Sequence, residues 1–433
     1  MIQFVDVLGV TSVITAAPQI ISALGGGAGV VSAITTVYAV FFGGLLVLGS
    51  RLGERWGHKH VLTVGLLGLA AAGALGAVAT GSMMVLAARA LQGVAAAVSV
   101  PSAMTLLLAV ADQAKARDQA LGLWSTAGAL AGVTGYVVGG GLTAAWGWPA
   151  VFWINIPVAL VLLTLLLVTV PAGLTDRTPH RSLDLPGALL LLTTVVLVVI
   201  GTTLIQDDGT RVLGILLILG AVPVAVTARS HWRRTQAALI PLSALRDAKL
   251  RTGVLASAVN TATTSSTGVL VSTHLQTTAG STALQASLSL MPFSIGVIIG
   301  STLAPRLIRA RSRATVLILG TALCGVANAT TAAVLVPGWG LRGALLAVGV
   351  GLGLASVAAT GIGTDVEEQR IPVATGLLNT SAQLGTALGV AATMATASMV
   401  GSTTAGLLLA GVVALLAAVA YRYWPQPSRR VHA

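Results

Sequence analysis

About fourteen apolar stretches follow one another along this chain, each near the roughly 20 residues that a helix needs to cross a bilayer. They cover 2–23, 29–49, 61–80, 82–108, 120–143, 151–171, 185–205, 212–228, 252–273, 281–305, 314–336, 341–363, 373–398 and 402–421. Inside lipid a segment must satisfy its own backbone hydrogen bonds, so runs of this length form helices. The connectors leave no room for a folded soluble domain. The 433 residues are 55% hydrophobic and 8% charged, whereas a soluble domain is about one quarter charged. Mean hydropathy is +0.92. No soluble fold of this size could bury that much apolar surface, and the fold class is an all-α integral membrane protein. The 51 glycines suit helices packed closely in lipid.

Charge orients the spans. With the N-terminus in the cytoplasm, only Arg211 and Arg342 of the 24 Lys and Arg fall on outer connectors, and Arg89 lies within a span. Basic residues collect on cytoplasmic loops, so both termini are expected in the cytoplasm, in a cell inner membrane, with an even number of spans. The net charge of +12 reflects this bias and implies no nucleic-acid partner. The first stretch has no Lys or Arg ahead of it and is interrupted by Asp6, so it reads as a retained span, not a signal peptide. The connector 229–251, with His231-Trp-Arg-Arg234 and Ile240-Pro241, reads as an ordinary basic linker, the alternative being a short interfacial helix. A six-span half (1–173) and a second with a basic tail (250–433) are expected to flank two extra spans and a connector (174–249). Internal repetition of this kind is common in secondary transporters. The basic run 306–313 takes the place in the second half that 51–60 takes in the first.

Several chemistries are excluded. The single cysteine, Cys324, permits no intrachain disulfide and no cysteine-based metal site. Gly-x-x-x-x-Gly-Lys-Ser/Thr, His-Glu-x-x-His and Gly-x-Ser-x-Gly are absent, so ATP-driven transport would need another subunit. The spans hold no paired carboxylates or metal-ligand clusters. Neither an enzyme nor a cofactor or metal is expected.

Three local patterns carry the functional reading. The first is the turn Ser50-Arg-Leu-Gly-Glu-Arg-Trp-Gly-His-Lys59 between two spans. Gly57 allows it to be tight, and Glu54 can accept from Arg and from backbone N–H groups at a helix start. The second is Arg89-Ala-Leu-Gln92-Gly93 inside a span. A guanidinium in hydrocarbon costs several kcal/mol unless paired or wetted; a structural arginine capping carbonyls is the alternative to a functional one. The third is Gly128, Gly132, Gly135, Gly139 and Gly140 in one span, a ridge on which helices can meet backbone to backbone.

In these residues the chain resembles the major facilitator superfamily, and within it the fourteen-span drug:proton antiporters. Residues 50–59 resemble Gly-x-Leu-x-Asp-x-x-Gly-Arg-Arg, with Ser50 for the first Gly and Glu54 for the Asp. Arg89-x-x-Gln92-Gly93 resembles the fourth-span motif. Gly135-Tyr-Val-Val-Gly139-Gly140 resembles the antiporter motif Gly-Pro-x-x-Gly-Gly, with Tyr136 for Pro, which removes a kink determinant. Residues 148–157, 275–292 and 376–385 also match the family in character. The resemblance implies two six-helix halves plus two extra central helices, a cytoplasmic latch at Arg51, Glu54, Arg55, Gly57 and Lys59, and proton coupling at Arg89. It further implies an inter-half seam shaped by the glycine motif.

Asp6 is the only acid well inside an apolar span. It lies three residues before Gly9, where the family often carries an acid, and is a displaced proton carrier or else an interfacial carboxylate. At 1.5 Å per residue, Asp6 and Arg89 are expected roughly 15 Å apart in height. A direct pair is not expected, and Arg89 should meet Thr11, Thr15 or backbone carbonyls. Tyr38, Gln92, Trp124, Tyr136, Trp153, Asn379 and Gln383 are candidates for a substrate cavity, with helix packing as the other role for each. The function expected is proton-coupled export of a hydrophobic drug-like or antibiotic compound by a monomer. The alternatives are uptake or uniport of a metabolite, or a non-transporting receptor or scaffold.

Overall fold

The computed structural model describes residues 1–25, 27–111, 114–171, 173–174, 182–206, 209–235, 238–367 and 370–423. The basic positions Arg177, Arg181, Arg429 and Arg430 lie outside them. The first half consists of α1 (Ile2–Leu24), α2 (Ala28–Trp56), α3 (His58–Ala77), α4 (Ser82–Val110), α5 (Ala114–Trp146), α6 (Ala150–Trp153) and α7 (Asn155–Thr169). A pair follows, α8 (Leu185–Leu204) and α9 (Arg211–Arg234). The second half comprises α10 (Ala248–Thr277), α11 (Ala283–Ala310), α12 (Arg313–Ala333), α13 (Trp339–Gly363), α14 (Ile371–Val400) and α15 (Thr403–Tyr423). This is an all-α integral membrane protein of two six-span halves with two extra spans between them in sequence.

Among the described residues, thirteen helices are apolar and long enough to cross a bilayer, α6 and α7 together making one. The fourteenth span is α10, which the run from Asn260 to Thr267 makes polar. Its hydroxyls turn back onto carbonyls one turn earlier: Thr264 Oγ1 donates to Asn260 O at 2.7 Å and Ser266 Oγ to Ala262 O at 2.6 Å. The helix is sheltered by α13, α14 and α15, so those groups never face lipid unpaired. The sixth span breaks because Pro157 lacks the N–H that would bond Trp153 and crowds that carbonyl. The Asn155 side chain donates to Val151 O at 3.0 Å beside the break.

The halves pack alike. In the first, α2 and α3 lie on α4, α1 on α5, and α3 on α7; in the second, α11 and α12 lie on α13, α10 on α14, and α12 on α15. The seam repeats the relation, with α2 against α14 and α11 against α5. One end of it is sealed by an apolar cluster that includes Val13 and Ile20 of α1, Leu275 of α10 and Leu290 of α11. There Ser272 Oγ donates to Ile14 O at 3.2 Å and Gln276 Nε2 to Thr15 O at 3.0 Å. The extra pair is central in sequence but peripheral in space: α8 leans on α2 and α14, and α9 packs chiefly on α8. Residues 231–234 are neither a linker nor an interfacial helix. They are the last turn of α9, because its helical hydrogen bonding continues beyond the apolar stretch to Arg234.

Candidate functional site

Three helices converge on Arg89. Gly93, one turn further along α4, lets the helix press onto α2; a Cβ there would stand 2.9 Å from Phe41 Cβ and 3.1 Å from the Phe42 nitrogen. The Arg89 guanidinium consequently lies over the Tyr38 ring, 4.6 Å from its centroid. Its Nε donates to Ile34 O at 3.1 Å, and one terminal nitrogen donates to Gln92 Oε1 at 2.8 Å. Arg89 is 1% exposed, and a buried cation persists only when its donors are used and its charge is answered. The answer arrives through Tyr38, whose hydroxyl donates to Oδ1 of Asp6.

Asp6 and Arg89 thus communicate through a tyrosine that spans their difference in height. Thr11 and Thr15 are not partners of Arg89. Thr11 Oγ1 donates to Val7 O at 2.9 Å and Thr15 Oγ1 to Ser12 O at 2.9 Å, and both lie against glycines of α5. The backbone carbonyl that Arg89 does find belongs to Ile34. The cluster opens on a cavity inside the first half, lined by α1, α2, α3, α4 and α7. Asp6, Tyr38, Arg89, Gln92, Ser99 and Asn155 supply its polar lining. The rest is chiefly aliphatic, a mixture suited to a hydrophobic ligand oriented by a few polar groups.

The turn at 51–59 forms the cytoplasm-assigned ends of α2 and α3. Gly57 joins the helices with φ 94, a conformation that glycine adopts without strain. Gly53 leaves space for the buried His58 ring and Ser102 of α4. Glu54 is half-buried and Arg55 exposed. Lys59 Nζ donates to Val170 O, fastening α3 to the end of α7. Arg51 donates to Ser182 O at 3.3 Å and Ala238 O at 2.6 Å, on the segments flanking α8 and α9.

The glycines of α5 face two ways. Gly135 and Gly139 receive Thr11 and Ser12 of α1, and Gly128 receives Gln3. Gly132 and Gly140 receive Ser294 and Ser287 of α11, with Ser294 Oγ donating to Gly132 O at 2.7 Å. Gly128 and Gly132 therefore do not share one contact face, because α5 is clasped by both halves at once. α5 runs unbroken from Ala114 to Trp146, as expected with Tyr136 in place of proline. Tyr136 is buried in the apolar cluster that seals the seam, its hydroxyl beside Gly268 of α10. Gln383 packs on Gly43 at the contact between α2 and α14. Asn379 is exposed on α14, Trp124 is half-buried on α5, and Trp153 is 52% exposed. Of the seven cavity candidates, only Tyr38 and Gln92 line the cavity.

The sequence pattern of the Major Facilitator Superfamily matches residues 1–389 and 253–433, between them the whole chain. This chain belongs to that superfamily. As a major facilitator it is 30% identical over 90% of its length to a probable actinorhodin transporter of Streptomyces coelicolor, covering 69% of that protein. It is 29% identical over 92% of its length to a cephamycin export protein of Amycolatopsis lactamdurans, covering 82%. A tetracenomycin C resistance and export protein of Streptomyces glaucescens is 29% identical over 83% of this chain and 67% of its own length. The fold is shared with the nucleoside transporter NupG, at TM-score 0.68 and 12% identity over 98% of this chain and 99% of that one. It is also shared with an auto-inhibited POT family peptide transporter, at TM-score 0.66 and 16% identity over 100% and 98%.

Sequence reasoning about this major facilitator missed Ser99 and Asn155 of the cavity, and Asp184 at the start of α8. Asp184 has a legible signal: an Asp two residues before Pro186 at the start of an apolar run is a helix cap. Ser99 and Asn155 have none, since their place depends on how α4 and α7 face α1.

Proposed function

We propose that this transporter exports a hydrophobic, drug-like compound of the antibiotic kind across the cytoplasmic membrane, by alternating access and in exchange for protons. The observation that carries the reading is the Asp6–Tyr38–Arg89 chain at a cavity of mixed character. Asp6 is the proton carrier, Arg89 the fixed charge, and Tyr38 the bridge. Rocking of α4 against α1 changes how strongly Arg89 bears on the carboxyl, and so whether the proton is held. Compounds named for the relatives, among them actinorhodin, cephamycin and tetracenomycin, supply the substrate class.

In this reading residues 1–173 and 250–433 are the two moving halves, with 174–249 between them. The protein works as a monomer with both termini in the cytoplasm. The turn at Arg51, Glu54, Arg55, Gly57 and Lys59 is the cytoplasmic latch, and the glycines of α5 are the hinge seam. Sealing at the end that holds Leu275 and Leu290 corresponds to an inward-facing state. The test is proton-driven extrusion of ethidium, a lipophilic cation, from vesicles. Arg89→Ala should abolish it while membrane insertion stays normal. Arg89→Lys should be impaired, since an ammonium lacks the planar fork that serves Ile34 and Gln92 together. Normal extrusion by both variants would sink the coupling role.

A further inference from the structure

The ends of the α8–α9 pair are tied together by one buried carboxylate, and Arg51 of the first half donates to backbone carbonyls on either side of the pair. Asp184, 9% exposed, precedes α8 and has φ 47 and ψ 50. It is the one non-glycine residue with positive φ among those described. A left-handed conformation is costly for an L side chain and persists where surrounding contacts over-determine it. Those contacts are explicit. Asp184 Oδ1 accepts from Gly187 N at 3.1 Å and lies 2.6 Å from His231 Nε2 of α9; Oδ2 accepts from Leu239 N at 2.5 Å. One side chain therefore caps α8, grips the last turn of α9 and holds the backbone at Leu239. Gly187 makes room, since a Cβ there would meet both the Asp184 carboxylate and the Trp232 indole. Arg51, at the gating turn, closes the ring by donating to Ser182 O and Ala238 O on either side of the pair.

The fastenings change sides within two residues. Ala238 and Leu239 are bonded to Arg51 and Asp184. Ile240, Ala244 and Leu245 instead pack with Leu250 of α10 and with Ala374 and Leu377 of α14, in the second half. Further up, α8 meets α2 closely: Gly44 faces Leu192, and Gly29 faces Thr203. Val195 and Val199 of α8 share one apolar cluster with Ala39 and Val40 of α2 and with Leu384 and Ala387 of α14. The polar bonds from Arg51 to Ser182 O and Ala238 O distinguish the first-half side of the pair from its apolar contact with α14.

We propose that the α8–α9 pair is a rigid brace of the first half, locked to the gating turn through Asp184, and that the two halves pivot at Leu239–Pro241. Asp184 and His231 are then positioning residues: they act on transport through Arg51 and touch no substrate. The proposal rests on the alternating-access reading above, so its test has one arm that needs no transport.

That arm is amide hydrogen exchange on the full chain in lipid nanodiscs. Asp184→Ala should raise exchange at least ten-fold at Leu239 and around residue 51, and leave α12 and α15 unchanged. The second arm is ethidium extrusion from vesicles. Asp184→Ala should lower the maximal rate at least five-fold with the half-saturating concentration unchanged. His231→Gln, whose amide can still donate to the carboxylate, should keep most of the rate, while His231→Leu should not. The third arm uses Gly44→Cys with Leu192→Cys in a Cys324→Ala background. A Cβ on Gly44 would lie 3.9 Å from Leu192 Cβ, within disulfide range. A brace that rides on α2 should tolerate this bond, and extrusion should match that of the reduced protein. Loss of extrusion on oxidation, restored by reductant, would overturn the proposal. So would unchanged exchange, or an unchanged maximal rate, in Asp184→Ala. If the unaltered protein moves no ethidium, the functional reading fails for that cation while exchange still decides the lock.

Discussion

Tyr38 links what the chain places far apart. Its ring carries the Arg89 cation and its hydroxyl meets the Asp6 carboxylate. Each is an interaction that strengthens as water is excluded. Tyr38→Phe keeps the ring and the packing against Phe42, whose centroid lies 5.7 Å away, but removes the bond to Asp6. A hydrogen bond to a charged group is worth about 1.5–3 kcal/mol, so coupled extrusion should fall by roughly ten-fold or more with the protein still inserted and folded. Measuring extrusion and insertion of Tyr38→Phe side by side checks this. Asp6→Asn should weaken proton-driven export of cationic substrates more than of neutral ones, because it deletes both the carrier and a negative attractor. Asp6→Glu should retain part of the activity. The readout is substrate-induced proton release from vesicles. Unchanged release in Asp6→Asn would show that the residue is only an interfacial carboxylate.

Glycine decides which helices can touch. α4 reaches α2 at Gly93, and α5 reaches α1 at Gly139, where a side chain would run into Ser12 backbone. Leucine at either position must push two helices apart, and overpacking of this kind costs about 1–3 kcal/mol. The two sites should nevertheless differ in phenotype. Gly93→Leu displaces Arg89 from Tyr38 and should abolish extrusion; Gly139→Leu pushes α5 off α1 at Ser12 and should leave Arg89 in place. Thermal unfolding in detergent should fall for both, and protection of α2 from hydrogen exchange should fall only for Gly93→Leu. α10 shows the complementary device, in which a polar helix survives inside the bundle because its hydroxyls are spent on its own carbonyls.

Across the whole molecule, two similar bundles carry different chemistry. The first half holds the ionisable cluster and the cavity; the corresponding interior of the second is neutral, with Thr267 Oγ1 donating to Asn328 Oδ1 at 2.5 Å and Asn260 Nδ2 to Ser356 Oγ at 2.9 Å. An ion-pair cluster ties Lys249, Arg313 and Asp365 at the end of the second half that corresponds to the turn at 51–59. Those pairs are exposed and contribute little to stability, at most about 1 kcal/mol each. The basic bias of this end predicts that both termini are cytoplasmic. Reporter fusions at residues 1 and 423 should read inside, and an outside reading at 423 would reject the topology.

Hydropathy alone determined the membrane setting and the helical class, since lipid leaves a twenty-residue apolar run no other structure. It also singled out Arg89 and Asp6, because a charge among apolar residues is visible without coordinates. The polar span α10 was legible despite its threonines, through its length and its place between connectors. Tertiary structure alone decided the partners. A one-dimensional reading places Asp6 and Arg89 at different heights but cannot show a third helix supplying Tyr38 between them. Nor can it separate glycines that face α1 from those that face α11, because both recur at helical spacing and only packing chooses the face. The lock around Asp184 was hidden for the same reason. It joins residues 51, 184, 231 and 239, which are distant in sequence and meet only once α8 and α9 have folded back onto α2.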